Sequence, residues 1–188
     1  MNPLLLHLQK AHPLSSSVSN ACEAIIKKKR VRKGHLLLRI GQKAEYFFFI
    51  NKGLARVFYQ RNGKDITDYF AIDQQFIGAV PSLFNGQKSH KAIEALEDSD
   101  ILYFSYSDFD RLCTLHHDLE RLARNQAIYG MLEGQQRIES IRFLSARERY
   151  DELEKLYPGI INRAPLKHIA SYLGTTQVSI SRIRAGKQ

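Results

Sequence analysis

The chain has 188 residues, which is one domain or two small ones. Hydrophobic residues at 44% and charged residues at 25% match ordinary globular usage and exclude a largely disordered polypeptide. Lys and Arg number 28 against 19 Asp and Glu, and the net charge of +9 favours a polyanionic partner, because phosphate contacts supply most non-specific nucleic-acid affinity. No apolar run approaches the roughly 18–20 residues of a membrane span, and the longest, Tyr46 to Ile50, falls far short. The N-terminus lacks the signal-peptide order of charge, apolar run and small-residue cleavage site, so a cytoplasmic protein without a membrane partner is expected. Cys22 and Cys113 form no CxxC pair and read as buried thiols of a reducing compartment. Adjacent His116 and His117 diverge by about 100° on a helix, a poor chelate, so no metal or other cofactor is expected.

The first thirty residues read as helix, with Leu4, Leu5, Leu8 and then Val18, Cys22, Ile25 and Ile26 on the apolar side, broken at Pro13 and Ser15-Ser16-Ser17. Lys27-Lys28-Lys29-Arg30 then reads as the solvated, cationic end of that helix. From Val31 to about Phe104 short aromatic and branched runs alternate with Gly and Asn: 35–40, 46–51, 54–60, 65–71, 89–96 and 101–106. Asn62-Gly63 marks a type I′ hairpin, and many short strands at regular spacing predict a sandwich or barrel.

Beyond Ser107, the expected cap, the chain turns helical. A long helix is predicted from about His117 to Phe143, some 40 Å at 1.5 Å per residue. Leu119, Ala123, Ala127, Gly130, Gly134, Ile138 and Ile141 recur at steps of three and four, a seam near the coiled-coil period with small residues at its middle. The helix is longer than a domain of about 110 residues easily covers, so the seam is assigned to a symmetric homodimer. Ser145 and Glu148 make a capping box, which breaks the long helix near Leu144 and marks a hinge.

The last segment carries the function. Pro165 suits a helix start, Leu166, Ile169, Ala170 and Leu173 follow at helical spacing, and Gly174 suits the left-handed position that ends the helix. Thr175-Thr176 then caps a second helix running to about Arg184, with Ile180 and Ile183 on its buried side. Helix, short Gly-containing turn, helix is the arrangement that lays its second helix in the DNA major groove. At 100° per residue Gln177, Val178, Ser181 and Arg182 face outward, and these side-chain types can meet adenine, a thymine methyl and guanine. From Ile161 to Gln188 there is no acid, and the cations are Arg163, Lys167, Arg182, Arg184 and Lys187. The candidate DNA-binding set is Thr176, Gln177, Val178, Ser179, Ser181, Arg182 and Arg184.

This order of sandwich, long helix and helical hairpin resembles the Crp/Fnr family of bacterial transcription regulators. Arg32-Lys33-Gly34-His35-Leu36 and Phe48-Phe49-Ile50-Asn51-Lys52-Gly53-Leu54 are similar to the family's first strands, and Phe76-Ile77-Gly78 to the start of its effector cassette. Ile169–Gly174 and Ser179–Arg184 resemble its helix-turn-helix closely. The resemblance implies an α+β protein. It would have an antiparallel jelly-roll or cyclic-nucleotide-binding-like sandwich with flanking helices (1–116), a dimerisation helix and hinge (117–144) and a winged-helix-like, all-α DNA-binding domain (145–188). It implies a non-enzymatic regulator whose partners are double-stranded DNA, a second copy of itself, RNA polymerase and a small-molecule effector. Family members that bind cyclic nucleotides place a glutamate after the cassette glycine and an arginine some ten residues later. Here Ala79 follows Gly78, and Ser89 stands at the arginine position. Serine cannot replace an arginine fork on phosphate, so neither cyclic AMP nor cyclic GMP is the expected effector. Gly78, Ala79, Val80, Ser89 and His90 remain the candidate effector pocket. Lys88, His90 and Lys91 could hold another anion or be ordinary exposed charges. No G-x-S-x-G, P-loop or H-E-x-x-H is present, and the competing reading is a sensing or protein-interaction module with a degenerate helix-turn-helix.

Overall fold

The computed structural model describes residues 2–186, so Lys187, one of the cations of the acid-free C-terminal segment, lies outside the described residues. Two N-terminal helices open the chain. Asn2 caps α1 (Pro3–Ala11) and Ser15 caps α2 (Ser16–Ile25), each through its side-chain oxygen. The basic run that follows is not a helix end. It is strand β1 (Lys27–Val31), because α2 stops at Ile25 and Ile26 is already extended. Along β1 the side chains alternate, so Val31 enters the core and the Lys29 ammonium lies 5.2 Å from the Phe48 and Tyr103 rings.

Seven further strands follow: β2 (Leu36–Leu38), β3 (Tyr46–Lys52), β4 (Ala55–Arg61), β5 (Lys64–Ala71), β6 (Gln75–Ile77), β7 (Lys91–Ala95) and β8 (Ser99–Ser105). They form two four-stranded antiparallel sheets, ordered β1-β8-β3-β6 and β2-β7-β4-β5. Charged β1 is a sheet edge, where lysines discourage strand addition. Asn62 and Gly63 both take positive φ in the β4–β5 hairpin, as the dipeptide predicts. Val31, Leu38, Phe48, Ile50, Val57, Ala71, Ile93 and Ile101 fill the space between the sheets. Two elements have no clear sequence signal: three-residue β6 and α3 (Val80–Asn85), both too short for a periodic pattern.

Helix α4 (Tyr106–Leu115) is capped by Ser105 rather than Ser107. Helix α5 (His117–Phe143) has the predicted length of 27 residues. Its first turns pack with the N-terminal helices: Leu4, Leu8, Phe49, Leu102, Phe104 and Leu122 form one cluster, and Leu5, Val18, Cys22, Leu112, Cys113 and Leu119 another. Both cysteines are buried free thiols there. Burial first, then neighbouring carboxylates, pushes Cys22 up to about 11 and Cys113 up to about 12. Ser145 and Glu148 complete the predicted capping box at the start of α6 (Ala146–Leu156). Three helices close the chain: α7 (Ile160–Arg163), α8 (Leu166–Leu173) and α9 (Gln177–Arg184). With α6 they share a core that holds Tyr150, Leu153, Ile169, Leu173, Ile180 and Ile183 in the same cluster as Leu54, Phe70, Ile72 and Leu96 of the sandwich. The C-terminal helices are therefore seated on the sandwich by shared apolar burial.

Candidate functional site

The α8–α9 hairpin is built by its turn. Gly174 takes φ 65°, a conformation that disfavours any side chain, and the amide of Thr175 donates to the Ala170 carbonyl at 3.0 Å. Thr176 Oγ1 accepts from the Ser179 amide at 3.1 Å and pairs with Ser179 Oγ at 3.0 Å, so both residues serve the cap of α9. Ile180 and Ile183 anchor the inner side. Gln177, Val178, Ser181 and Arg182 are all exposed, and Val178 is 62% accessible. Arg182 makes no side-chain hydrogen bond or ion pair among the described residues, whereas Arg184 turns inward. Its Nε donates to the Tyr150 hydroxyl at 3.1 Å, and its guanidinium also donates to the Ile161 carbonyl. Arg184 thus ties α9 to the helices beneath it.

The cassette after β6 is closed by a residue the sequence reading did not single out. Tyr69 points inward from β5, beside Ala71, into the cluster between the sheets. Its hydroxyl donates to the Gly78 carbonyl at 2.6 Å and accepts from the Gly78 amide at 3.0 Å. Burial holds the phenol well above its ordinary pKa, so it stays neutral. The remaining cavity is about 100 Å³ and is lined in part by Ala79, Ser82, Gln87, Ser89 and His90. Gly78 and Val80 do not line it, and Val80 is exposed. Ser89 is buried, and its hydroxyl is spent on its own turn, donating to the Lys91 carbonyl at 2.8 Å and accepting from the Lys91 amide at 3.0 Å. The Lys91 ammonium pairs with Asp68 at 2.7 Å, which leaves exposed Lys88 and His90 as the nearby cationic or titratable side chains of the expected group.

The long-helix seam divides in two. Leu119 is wholly buried within the chain and Ala123 packs against the same cluster, so neither faces outward. Leu5 of α1, Val18 and Cys22 of α2, and Leu112 and Cys113 of α4 cover this end, which a helix pattern alone does not reveal. Ala127, Gly130, Gly134, Ile138 and Ile141 are exposed, and Met131, 57% accessible, lies on the same face. Ile128 and Leu132 are exposed as well, but at 100° per residue they lie on the other side of α5 from this seam.

These elements define a class of protein: a sandwich with a small pocket beside its α3 segment, a long helix with an uncovered apolar face, and a C-terminal helical hairpin with a polar, basic outer side. Residues 28–116 match the family model of the cyclic nucleotide-binding domain, and the sandwich is a domain of that family. The whole chain has the fold of Crp/Fnr-type transcription regulators. FixK2 from Bradyrhizobium japonicum aligns over 86% of this chain and 84% of its own, with TM-score 0.74 and 16% identity. CLP, the c-di-GMP-responsive global regulator of Xanthomonas campestris, aligns over 92% and 91%, with TM-score 0.68 and 14% identity. A regulator assigned to the crp/fnr family from Eubacterium rectale aligns over 92% and 83%, with TM-score 0.70 and 16% identity. No curated protein sequence matches the chain.

Proposed function

We propose that this protein is a homodimeric, cytoplasmic, sequence-specific DNA-binding regulator. In this reading residues 1–116 are the effector-type domain, 117–144 the dimerisation helix and hinge, and 145–188 the DNA reader. The observation that carries it is the outer face of α9. On a helix whose other side is buried through Ile180 and Ile183, an apolar Val178 and an Arg182 without a side-chain partner among the described residues project outward with Gln177 and Ser181. An uncovered valine between a base-reading glutamine and arginine is costly in water and suited to a major groove with a thymine methyl. The acid-free composition from Ile161 onward adds attraction for phosphate. The uncovered face from Ala127 to Ile141 supports pairing with a second copy, as a two-fold operator requires.

The effector in this reading is neither cyclic AMP nor cyclic GMP. Ala79 and Ser89 provide no charged anchor, and Tyr69 holds the Gly78 backbone where a ligand would need to reach it. RNA polymerase is the partner through which such a regulator would act. The test is a gel shift with duplex selected from a random pool. Retention should weaken steeply as salt rises, and a purified protein that selects no sequence refutes the reading.

A further inference from the structure

We propose that Arg163 is a positioning residue for DNA recognition, clamping the C-terminal unit to the end of the sandwich and so setting the spacing at which two recognition helices meet a duplex. The inference rests on the dimeric DNA-binding reading above.

Arg163 ends α7, a four-residue helix outside the hairpin. Its guanidinium reaches three separate turns at one end of the sandwich. Nη2 donates to the Gly53 carbonyl at 2.8 Å, in the β3–β4 turn, and to Glu97 Oε1 at 2.6 Å, in the β7–β8 turn. Nη1 donates to Asp73 Oδ2 at 2.7 Å, in the β5–β6 turn. Nε completes the fork on Glu97 Oε2 at 3.3 Å. A planar guanidinium with five donors can serve three acceptors at once, whereas an ammonium is a point charge without that fork.

The receiving site is itself rigid. The Gly53 amide donates to Asp73 Oδ1 at 2.7 Å, which fixes one acceptor by means of another. Gly53 has φ 131°, and a Cβ there would stand 2.1 Å from Ser99 Oγ, so the backbone approaches β8 as only glycine permits. Two more contacts lock the same pose. Ser171 Oγ on α8 donates to Thr67 Oγ1 at 3.0 Å and accepts from the Thr67 amide at 3.1 Å. The Phe70 ring packs at 5.4 Å from Tyr172 and 5.9 Å from Tyr157. The hinge is bridged as well, since Arg149 donates to the carbonyls of both Leu144 and Leu173.

The C-terminal unit therefore cannot swing about Leu144 without breaking the Arg163 fork. The outer face of α9 stays uncovered while the unit is clamped, so the clamp does not mask the reader. It pre-organises it. Two units carried at fixed positions on a paired α5 reward one half-site spacing and penalise others, because neither unit can adjust without losing its contacts.

The experiment uses the full-length protein as wild type, Arg163→Gln and Arg163→Lys, with Asp73→Asn/Glu97→Gln removing the receiving carboxylates from the other side. Hydrogen exchange of segment 64–71 reads the docking directly, because the Thr67 amide is held by Ser171. Exchange there should rise about tenfold or more in Arg163→Gln and in the carboxylate double variant, equivalent to about 1.4 kcal/mol, and less in Arg163→Lys. Operators selected by the wild type are then lengthened between half-sites by one and two base pairs. The wild type should lose about tenfold affinity or more, and Arg163→Gln should respond by less than about threefold. Unchanged exchange at 64–71, or the same spacing profile in Arg163→Gln as in wild type, overturns the inference. A wild type that selects no duplex refutes the DNA reading instead, and the exchange result still decides whether Arg163 clamps the unit.

Discussion

His168 offers a direct handle on the seating of the C-terminal helices. It lies on α8, 5% accessible, where that helix packs against β5. Arg56 and Asp65 of the sandwich and Lys167 of its own helix surround it, and Arg56 is in turn paired with Asp65 at 2.9 Å and Glu94 at 2.7 Å. Burial first, then Arg56 and Lys167, push the imidazole down to about 4, with Asp65 opposing. The folded protein thus holds His168 neutral, while the unfolded chain protonates it near 6.5. Below pH 6.5 the unfolded state binds a proton that the folded state refuses. The stability contributed by neutral His168 is therefore complete above pH 6.5 and is lost as pH falls towards 4. At pH 5 linkage between those two values amounts to about 2 kcal/mol. The assay is urea unfolding of wild type and His168→Gln at pH 8 and pH 5. Carboxylates titrate in both proteins, so the difference isolates the histidine. Wild type should lose about 2 kcal/mol more than the variant between the two pH values. Parallel losses in the two proteins would show that His168 is not held neutral at the α8–β5 contact, and the argument from its burial would fail.

Met131→Glu combined with Ile138→Glu places charge on the uncovered face of α5 and should give monomers by sedimentation at micromolar concentration, with the fold intact by circular dichroism. Wild-type protein that is itself monomeric there would refute the dimer. Calorimetric titration with cyclic AMP or cyclic GMP should give no heat, and a micromolar binding constant would overturn the account of Ala79, Ser89 and Tyr69. Arg182→Ala should weaken binding to the selected operator about ten- to hundredfold and relax the preference at one guanine per half-site, since a bidentate Arg–guanine pair contributes about 1–3 kcal/mol. Equal losses on matched and mismatched duplex would make Arg182 a phosphate contact. Tyr69→Phe removes the two hydrogen bonds to the Gly78 backbone and should cost about 1–3 kcal/mol in urea unfolding, because the Gly78 amide and carbonyl lose a buried partner.

Much of this protein was legible in its sequence because the signals are local. The long helix is set by an uninterrupted period and ended by the Ser145–Glu148 capping box, and both lie within a few residues of what they control. The same holds for the α8–α9 hairpin, where Gly174 makes the turn, Thr176 makes the cap and the position of Ile180 decides which side chains face out. That positions 79 and 89 carry no charge is equally a matter of residue identity, Ala and Ser. Tertiary structure decided what depends on partners distant in the chain. The lysine run became an edge strand because β8, some seventy residues on, offers it a ladder from Tyr103 to Ser99. Leu119 left the predicted seam because α1, α2 and α4 converge over it, and no periodicity within α5 records that. Arg184 and Arg163 are both arginines of a basic tail in the sequence. Only the fold turns the first to Tyr150 and sets the second among Gly53, Asp73 and Glu97, because each acceptor is brought there by a different turn.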